Sequence, residues 1–215
     1  MLYLINFKTY SKGTGQNALR LANIIAEVAE RRKVEIIPAV QPTDLKEICK
    51  ITSAISQAID PIPYGAHTGQ ILPQAIKDAG AIGTLINHSE RRLSIKDIES
   101  CIYFARHACL KTIVCASDIK EAMDIAKLSP DYIAFEDPEL IGTGQSVSKT
   151  KPELVSRFVG VLKDLSPLVI PLCGAGITNH EDVLAAKDLG TKGVLVASAV
   201  VNAEDQKEAL EKLII

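Results

Sequence analysis

The sequence carries no excess of positive charge: 24 Lys and Arg stand against 26 Asp and Glu, a formal net charge of −2 at pH 7. No basic stripe is present to neutralise a row of phosphates, which argues against a nucleic-acid or membrane-surface partner. A small anionic ligand stays open, because one well-placed Lys suffices for it. No apolar run approaches the length of a membrane span, and Met1–Asn6 is too short for the apolar segment of a secretory signal. Cysteines number five (Cys49, Cys101, Cys109, Cys115 and Cys173), an odd count with no Cys-x-x-Cys. Cys115 and Cys173 fall inside apolar runs, so buried reduced thiols in a cytoplasmic protein are expected. His67, His88, His107 and His180 lack zinc spacing, and no Gly-x-Ser-x-Gly elbow occurs. Neither a metal nor a cofactor is expected. No linker, low-complexity stretch or charge block divides the chain, which predicts one domain over residues 1–215.

What the chain does have is alternation. Hydrophobic residues make up 47% of it, enough for an ordinary globular core. Short apolar runs at Tyr3–Asn6, Glu35–Ala39, Ala54–Ile59, Gly83–Asn87, Thr112–Cys115, Tyr132–Phe135, Leu168–Cys173 and Gly193–Val196 read as buried strands. Helical periodicity fills the gaps at Gln16–Arg32, Asp44–Lys50, Pro73–Ala79, Lys96–His107, Ile119–Leu128, Pro152–Leu165, Glu181–Leu189 and Glu204–Leu213. Pro73 and Pro152 suit a first helical turn, and Thr43-Asp44 and Asn179-His180 offer oxygens for helix starts. Eight strands and eight helices in alternation predict parallel strands with right-handed crossovers. A doubly wound open sheet competes, but eight repeats with no second domain favour a closed parallel (β/α)8 barrel.

In such a barrel the residues just after each strand gather at one face. They are Asn6 and Lys8 after the first strand, and Asn87, His88 and Glu90 after the fourth. Glu136 and the loop 137–144 follow the sixth, Gly174-Ala175-Gly176 the seventh, and Ala197 and Ser198 the eighth. Any one of these reads as an ordinary structural or surface residue; their joint placement carries the signal. Gly142-Thr143-Gly144 lacks the third glycine and acidic partner of a dinucleotide fingerprint. Small residues after the last two strands would let backbone N–H groups approach an anion, so a phosphate ligand is expected there. Glu136 is the candidate base, with His88 and Lys8 to polarise an oxygen. Glu90 would lie beside Lys8 and hold it protonated.

These motifs resemble the triosephosphate isomerases, of the short type typical of archaea, over Asn6 to Val201. Asn6-Phe7-Lys8 looks like the family's N-terminal Asn-x-Lys, and Asn87-His88-Ser89-Glu90-Arg91 like its electrophile motif. Glu136 followed by Leu140-Ile141-Gly142-Thr143-Gly144 is similar to its base and lid, and Tyr64–Gly69 to its interface loop. The resemblance implies a TIM barrel interconverting dihydroxyacetone phosphate and D-glyceraldehyde 3-phosphate in glycolysis and gluconeogenesis. Glu136 would take the proton, neutral His88 would serve the developing enediolate, and Lys8, held by Glu90, would stabilise its charge. Asn6 would contact substrate, and backbone around Ile141, Gly142, Gly176, Ala197 and Ser198 would grip phosphate. It further implies a homo-oligomer, dimer or tetramer, through the Tyr64–Gly69 loop, in which Thr68 would support a neighbour's Asn6–Lys8. One departure stands out. Asp137 occupies the place of a proline that would stiffen the lid's first hinge, and its side chain is expected to point outward, away from Glu136. Another phosphate-binding barrel enzyme, or a barrel that binds without turnover, are the competing readings.

Overall fold

A computed structural model of the chain describes residues 1–140 and 144–215. Eight parallel strands close a barrel in sequence order: β1 (Leu2–Asn6), β2 (Glu35–Val40), β3 (Ile55–Ser56), β4 (Gly83–Ile86), β5 (Lys111–Ala116), β6 (Tyr132–Phe135), β7 (Ile170–Cys173) and β8 (Gly193–Val196). Leu2 pairs with Glu35 on one side and Gly193 on the other, which closes the ring. Around it run α1 (Gly15–Arg32), α2 (Pro42–Ile48), α3 (Pro73–Asp78), α4 (Ile95–His107) and α5 (Ile119–Ala126). They are followed by α6 (Val147–Thr150), α7 (Pro152–Leu165), α8 (His180–Asp188), α9 (Ser198–Val201) and α10 (Gln206–Leu213). Among the described residues no helix is long and apolar enough to cross a membrane.

Strand side chains alternate between two dry compartments. Leu2, Leu4, Ala39, Leu85, Cys115, Ala134, Leu172 and Leu195 fill the barrel interior. Tyr3, Ile5, Ile86, Val114 and Phe135 point outward onto the helices, against residues such as Leu21, Ile25 and Phe158. Because both faces are buried, each strand reads as an unbroken apolar run. This also explains where such runs overshoot. Ile59 stays buried beyond β3, but the ladder ends at Ser56, whose Oγ donates to the Ala58 carbonyl at 2.7 Å. Leu168 was expected in β7, yet it is 92% exposed and the strand begins at Ile170. The helices α6 and α9, and a 3-10 turn at Ser11–Gly13, are too short to show a period and were not anticipated.

Helix starts follow local chemistry. Pro73 and Pro152 open α3 and α7, and Asn179 forms a full capping box with Asp182 on α8. Thr43-Asp44 does not start α2, which begins at Pro42 after Gln41. Proline at that position already supplies the fixed φ of a first turn. Asp44 instead reaches across to α1, accepting from Gly15 N at 3.1 Å and Thr14 Oγ1 at 3.3 Å. It thus satisfies an N–H that the helix itself leaves unpaired. Asp44→Ala is expected to cost about 1 kcal/mol in urea unfolding, the value of a lost N-terminal cap. Thr43→Ala, on the exposed side of α2, is expected to stay within about 0.5 kcal/mol of wild type.

Candidate active site

The C-terminal ends of the strands open into a cleft lined by Asn6, Lys8, His88, Glu136, Gly176, Ala197 and Ser198, all of them candidates from the sequence. Strand phase explains several of these placements. Leu2 and Leu4 face the interior, and Asn6 and Lys8 extend that series to the mouth. Ala134 is followed in the same phase by Glu136. A larger groove at the opposite end of the barrel, around Leu165 and Leu168, has its charged groups paired with one another or with backbone carbonyls. There Lys111 pairs with Asp131 at 2.6 Å and Arg106 donates to the Leu128 and Ser129 carbonyls.

Lys8 sits in the left-handed region at φ 48, a costly conformation for a long side chain. Neighbours on both sides hold it. Asn6 Oδ1 accepts from Lys8 N at 3.0 Å, and Gln57 Nε2 donates to the Lys8 carbonyl at 2.9 Å. Lys8 Nζ then meets Glu90 Oε1 at 2.8 Å, as expected from closing the barrel. Gln57 was not singled out from the sequence, where an isolated Gln beyond a strand carries no signal.

His88 is 8% exposed. Its Nδ1 accepts from the Glu90 backbone N–H at 3.2 Å. An amide can only donate, so this bond selects the tautomer with its proton on Nε2. That Nε2 faces Glu136 Oε1 at 3.4 Å. The carboxylate of Glu136 is 5% exposed, and its second oxygen, Oε2, is buried without a hydrogen-bond partner among the described residues. An unmet buried carboxylate oxygen is rare and costly in a purely structural role. Burial pushes the Glu136 carboxyl up; the hydrogen bond and the charge interaction with His88, then the Cys115 thiol and the charge of Lys8, outweigh it and leave the group below its ordinary value.

The glycine positions also make room for other parts of the chain. A Cβ on Gly174 would lie 2.8 Å from Glu136 Cγ, so that glycine makes room for the carboxylate. Gly176, at φ 71, would place a Cβ 1.8 Å from the Gln145 carbonyl oxygen, so it admits the backbone at Gln145 and Ser146. Small size here allows close approach of one part of the chain to another. The first turn of α9, beginning at Ser198, leaves N–H groups at the cleft wall, as any helix start does. Ile141 and Gly142, expected to contact phosphate, lie outside the described residues.

Asp137 diverges from Glu136, as expected, but not into solvent. It is 6% exposed and pairs with Lys151 Nζ at 2.7 Å, while its Oδ1 accepts from Glu139 N at 3.0 Å. Lys151 also meets Glu139 at 2.6 Å, and these two carboxylates raise its pKa. An ion pair therefore restrains the chain where a proline ring would otherwise do so. Among the described residues no group of three or more His, Cys, Asp or Glu is placed to hold a metal ion.

A sequence model of the family described as triosephosphate isomerase matches residues 1–214. The chain belongs to the triosephosphate isomerase family. It is 46% identical to the triosephosphate isomerase of Methanothermus fervidus over 99% of this chain and 97% of that one. Identity to the triosephosphate isomerase of Methanocaldococcus jannaschii is 48%, over 100% and 99% of the two chains. The crystal structure of triosephosphate isomerase from Bartonella henselae superposes with a TM-score of 0.78 over 98% of this chain and 97% of that one. At 20% identity that structural likeness speaks for the barrel alone.

The balance of forces on Glu136 gives a pH expectation. Read by carbon NMR of the labelled carboxyl, Glu136 should titrate below the ordinary value of 4.5. Its contribution to stability is then fully present above that pH and is lost as pH falls through the folded value. His88→Asn should move the titration upward, since burial then meets weaker opposition. An unchanged value would show that His88 does not hold the carboxylate.

Proposed function

We propose that this chain interconverts dihydroxyacetone phosphate and D-glyceraldehyde 3-phosphate through an enediolate. The observation that carries the reading is the unmet Oε2 of buried Glu136, beside a histidine whose Nε2 proton faces the same cleft. Glu136 takes the proton from the carbon next to the carbonyl, and that C–H electron pair moves onto the carbonyl oxygen. His88, as neutral imidazole, donates from Nε2 to that oxygen and passes protons between the two enediolate oxygens. The protonated carboxyl of Glu136 then returns its proton to the neighbouring carbon. Lys8, with Glu90 as counter-ion, offsets the developing negative charge, and Asn6 contacts the substrate. Backbone N–H groups at Gly176, Ala197 and Ser198, together with Ile141 and Gly142, grip the phosphate.

The residue types support this reading because each supplies a distinct part of the barrier reduction. A positioned general base contributes roughly 10²–10⁴-fold, and a donor preorganised at a developing oxyanion roughly 10²–10³-fold. A barrel that binds without turnover drew its support from Asp137, and the ion pair of Asp137 with Lys151 turns that carboxylate away from Glu136. We place the reaction in glycolysis and gluconeogenesis in the cytoplasm, on the resemblance to the family. We also assign the loop Tyr64–Gly69 to a homo-oligomer interface. Tyr64 is 72% exposed at the start of that loop, an aromatic side chain left in water by the lone chain.

In an assay that couples the product aldehyde to a dehydrogenase, the wild-type protein is expected to turn over. Glu136→Gln should lose roughly 10²–10⁴-fold in kcat. Full activity in that variant removes the base assignment, and an inert wild type removes the isomerase reading. Light scattering should give a mass of two or four chains; a fully active monomer would refute the interface.

A further inference from the structure

Strict strand alternation does not bring His88 to the cleft. On β4, Leu85 faces the barrel interior and Ile86 faces the helices. Continued in the same phase, Asn87 would enter the mouth and His88 would turn away among the helices. The structure has the reverse, and the change happens at one residue. Asn87 takes φ 61, a left-handed conformation one step past the strand end.

Its side chain is fully used in holding that turn. Asn87 is 2% exposed. Nδ2 donates to the Cys115 carbonyl on β5 at 2.9 Å and to Glu121 Oε1 at 3.0 Å, and Oδ1 accepts from Leu93 N at 2.9 Å. The Asn87 carbonyl accepts from Arg92 Nη1 at 3.3 Å, and Arg92 also pairs with Glu121. Glu121 is anchored in turn near the start of α5. Its Oε2 accepts from Ser117 N at 2.7 Å and Ser117 Oγ at 2.8 Å, and its own N–H donates to the Asp118 cap at 2.8 Å.

We infer that Asn87, anchored by Glu121, is a positioning residue for His88: its left-handed turn and side-chain hydrogen bonds rotate the histidine out of strand phase and fix its ring opposite Glu136. The inference rests on the reading of His88 as the electrophile. Backbone conformation alone does not call for asparagine here, since glycine reaches φ 61 at lower cost. What glycine cannot supply is the attachment to β5, to Leu93 and to α5. Without it the turn is permitted but not enforced, and a small displacement of a positioned catalytic group is enough to slow the reaction.

Asn87→Gly therefore keeps the conformation accessible and removes the lock. Its kcat is expected to fall roughly 10- to 100-fold, with KM within about twofold of wild type. In nitrogen NMR of labelled protein, His88 of the wild type should show a single neutral tautomer with its proton on Nε2. Asn87→Gly should show a broadened or mixed signal. Glu121→Gln, which keeps an acceptor for Asn87 but loses the Arg92 ion pair, should move both readouts in the same direction by less. The double variant should be no worse than Asn87→Gly, because the two residues act through one path. If Asn87→Gly does not fold, Glu121→Gln carries the test. Wild-type kcat with a single sharp tautomer in the variant overturns the inference, as does a change confined to KM or to melting temperature. An inert wild type overturns the isomerase reading alone, and the His88 tautomer then still decides for or against the positioning role.

Discussion

A carboxylate almost out of reach of water, with one oxygen left unmet, is the constraint around which the mouth of this barrel is arranged. Such a group loses its hydration and keeps its charge only if the protein replaces what water supplied. The proton on His88 Nε2 and the charge of Lys8 supply part of it. Gly174 supplies space, because a methyl group there would collide with Glu136 itself. The Glu90 backbone N–H fixes the tautomer of His88, while its side chain holds Lys8, so one residue sets the state of two partners. The arrangement leaves one oxygen of a buried carboxylate without a hydrogen-bond partner among the described residues.

The architecture was legible in the sequence because a barrel buries both faces of each strand. Eight apolar runs separated by helical periods have few other solutions, and the strand ends then gather Asn6, Lys8, Glu136, Ala197 and Ser198 at one mouth, where His88 joins them through the turn at Asn87. The errors have physical causes. Apolar runs do not reveal where a ladder stops, so the runs through β3 and β7 extend past the strands themselves. One-turn helices carry no period, so nothing in the sequence marks α6 and α9. For Gly174 and Gly176 a glycine shows only that something comes close, not which parts of the chain do. The approaching groups, a side chain and a loop backbone far away in sequence, exist only in the folded chain.

Asp137 gives the same lesson for charge. Its sequence position said that a stiff ring was gone; it did not say what replaced it. The counter-ion, Lys151, lies 14 residues on, beyond α6, and only the fold brings it to the loop's first residue. Asn87 was visible as one member of a motif, but the donors and acceptors that give it work belong to β5 and α5.

The cap that Asp44 lends to α1 bears on how the barrel assembles. The acceptor for Gly15 N stands 29 residues further on, in the following repeat. The first strand–helix unit, taken alone, is therefore chemically unfinished, and its helix gains a proper start only when the second unit has docked. Repeats joined in this way are not interchangeable modules; completing one depends on the arrival of the next, which favours cooperative closure of the ring over stepwise accumulation of independent parts.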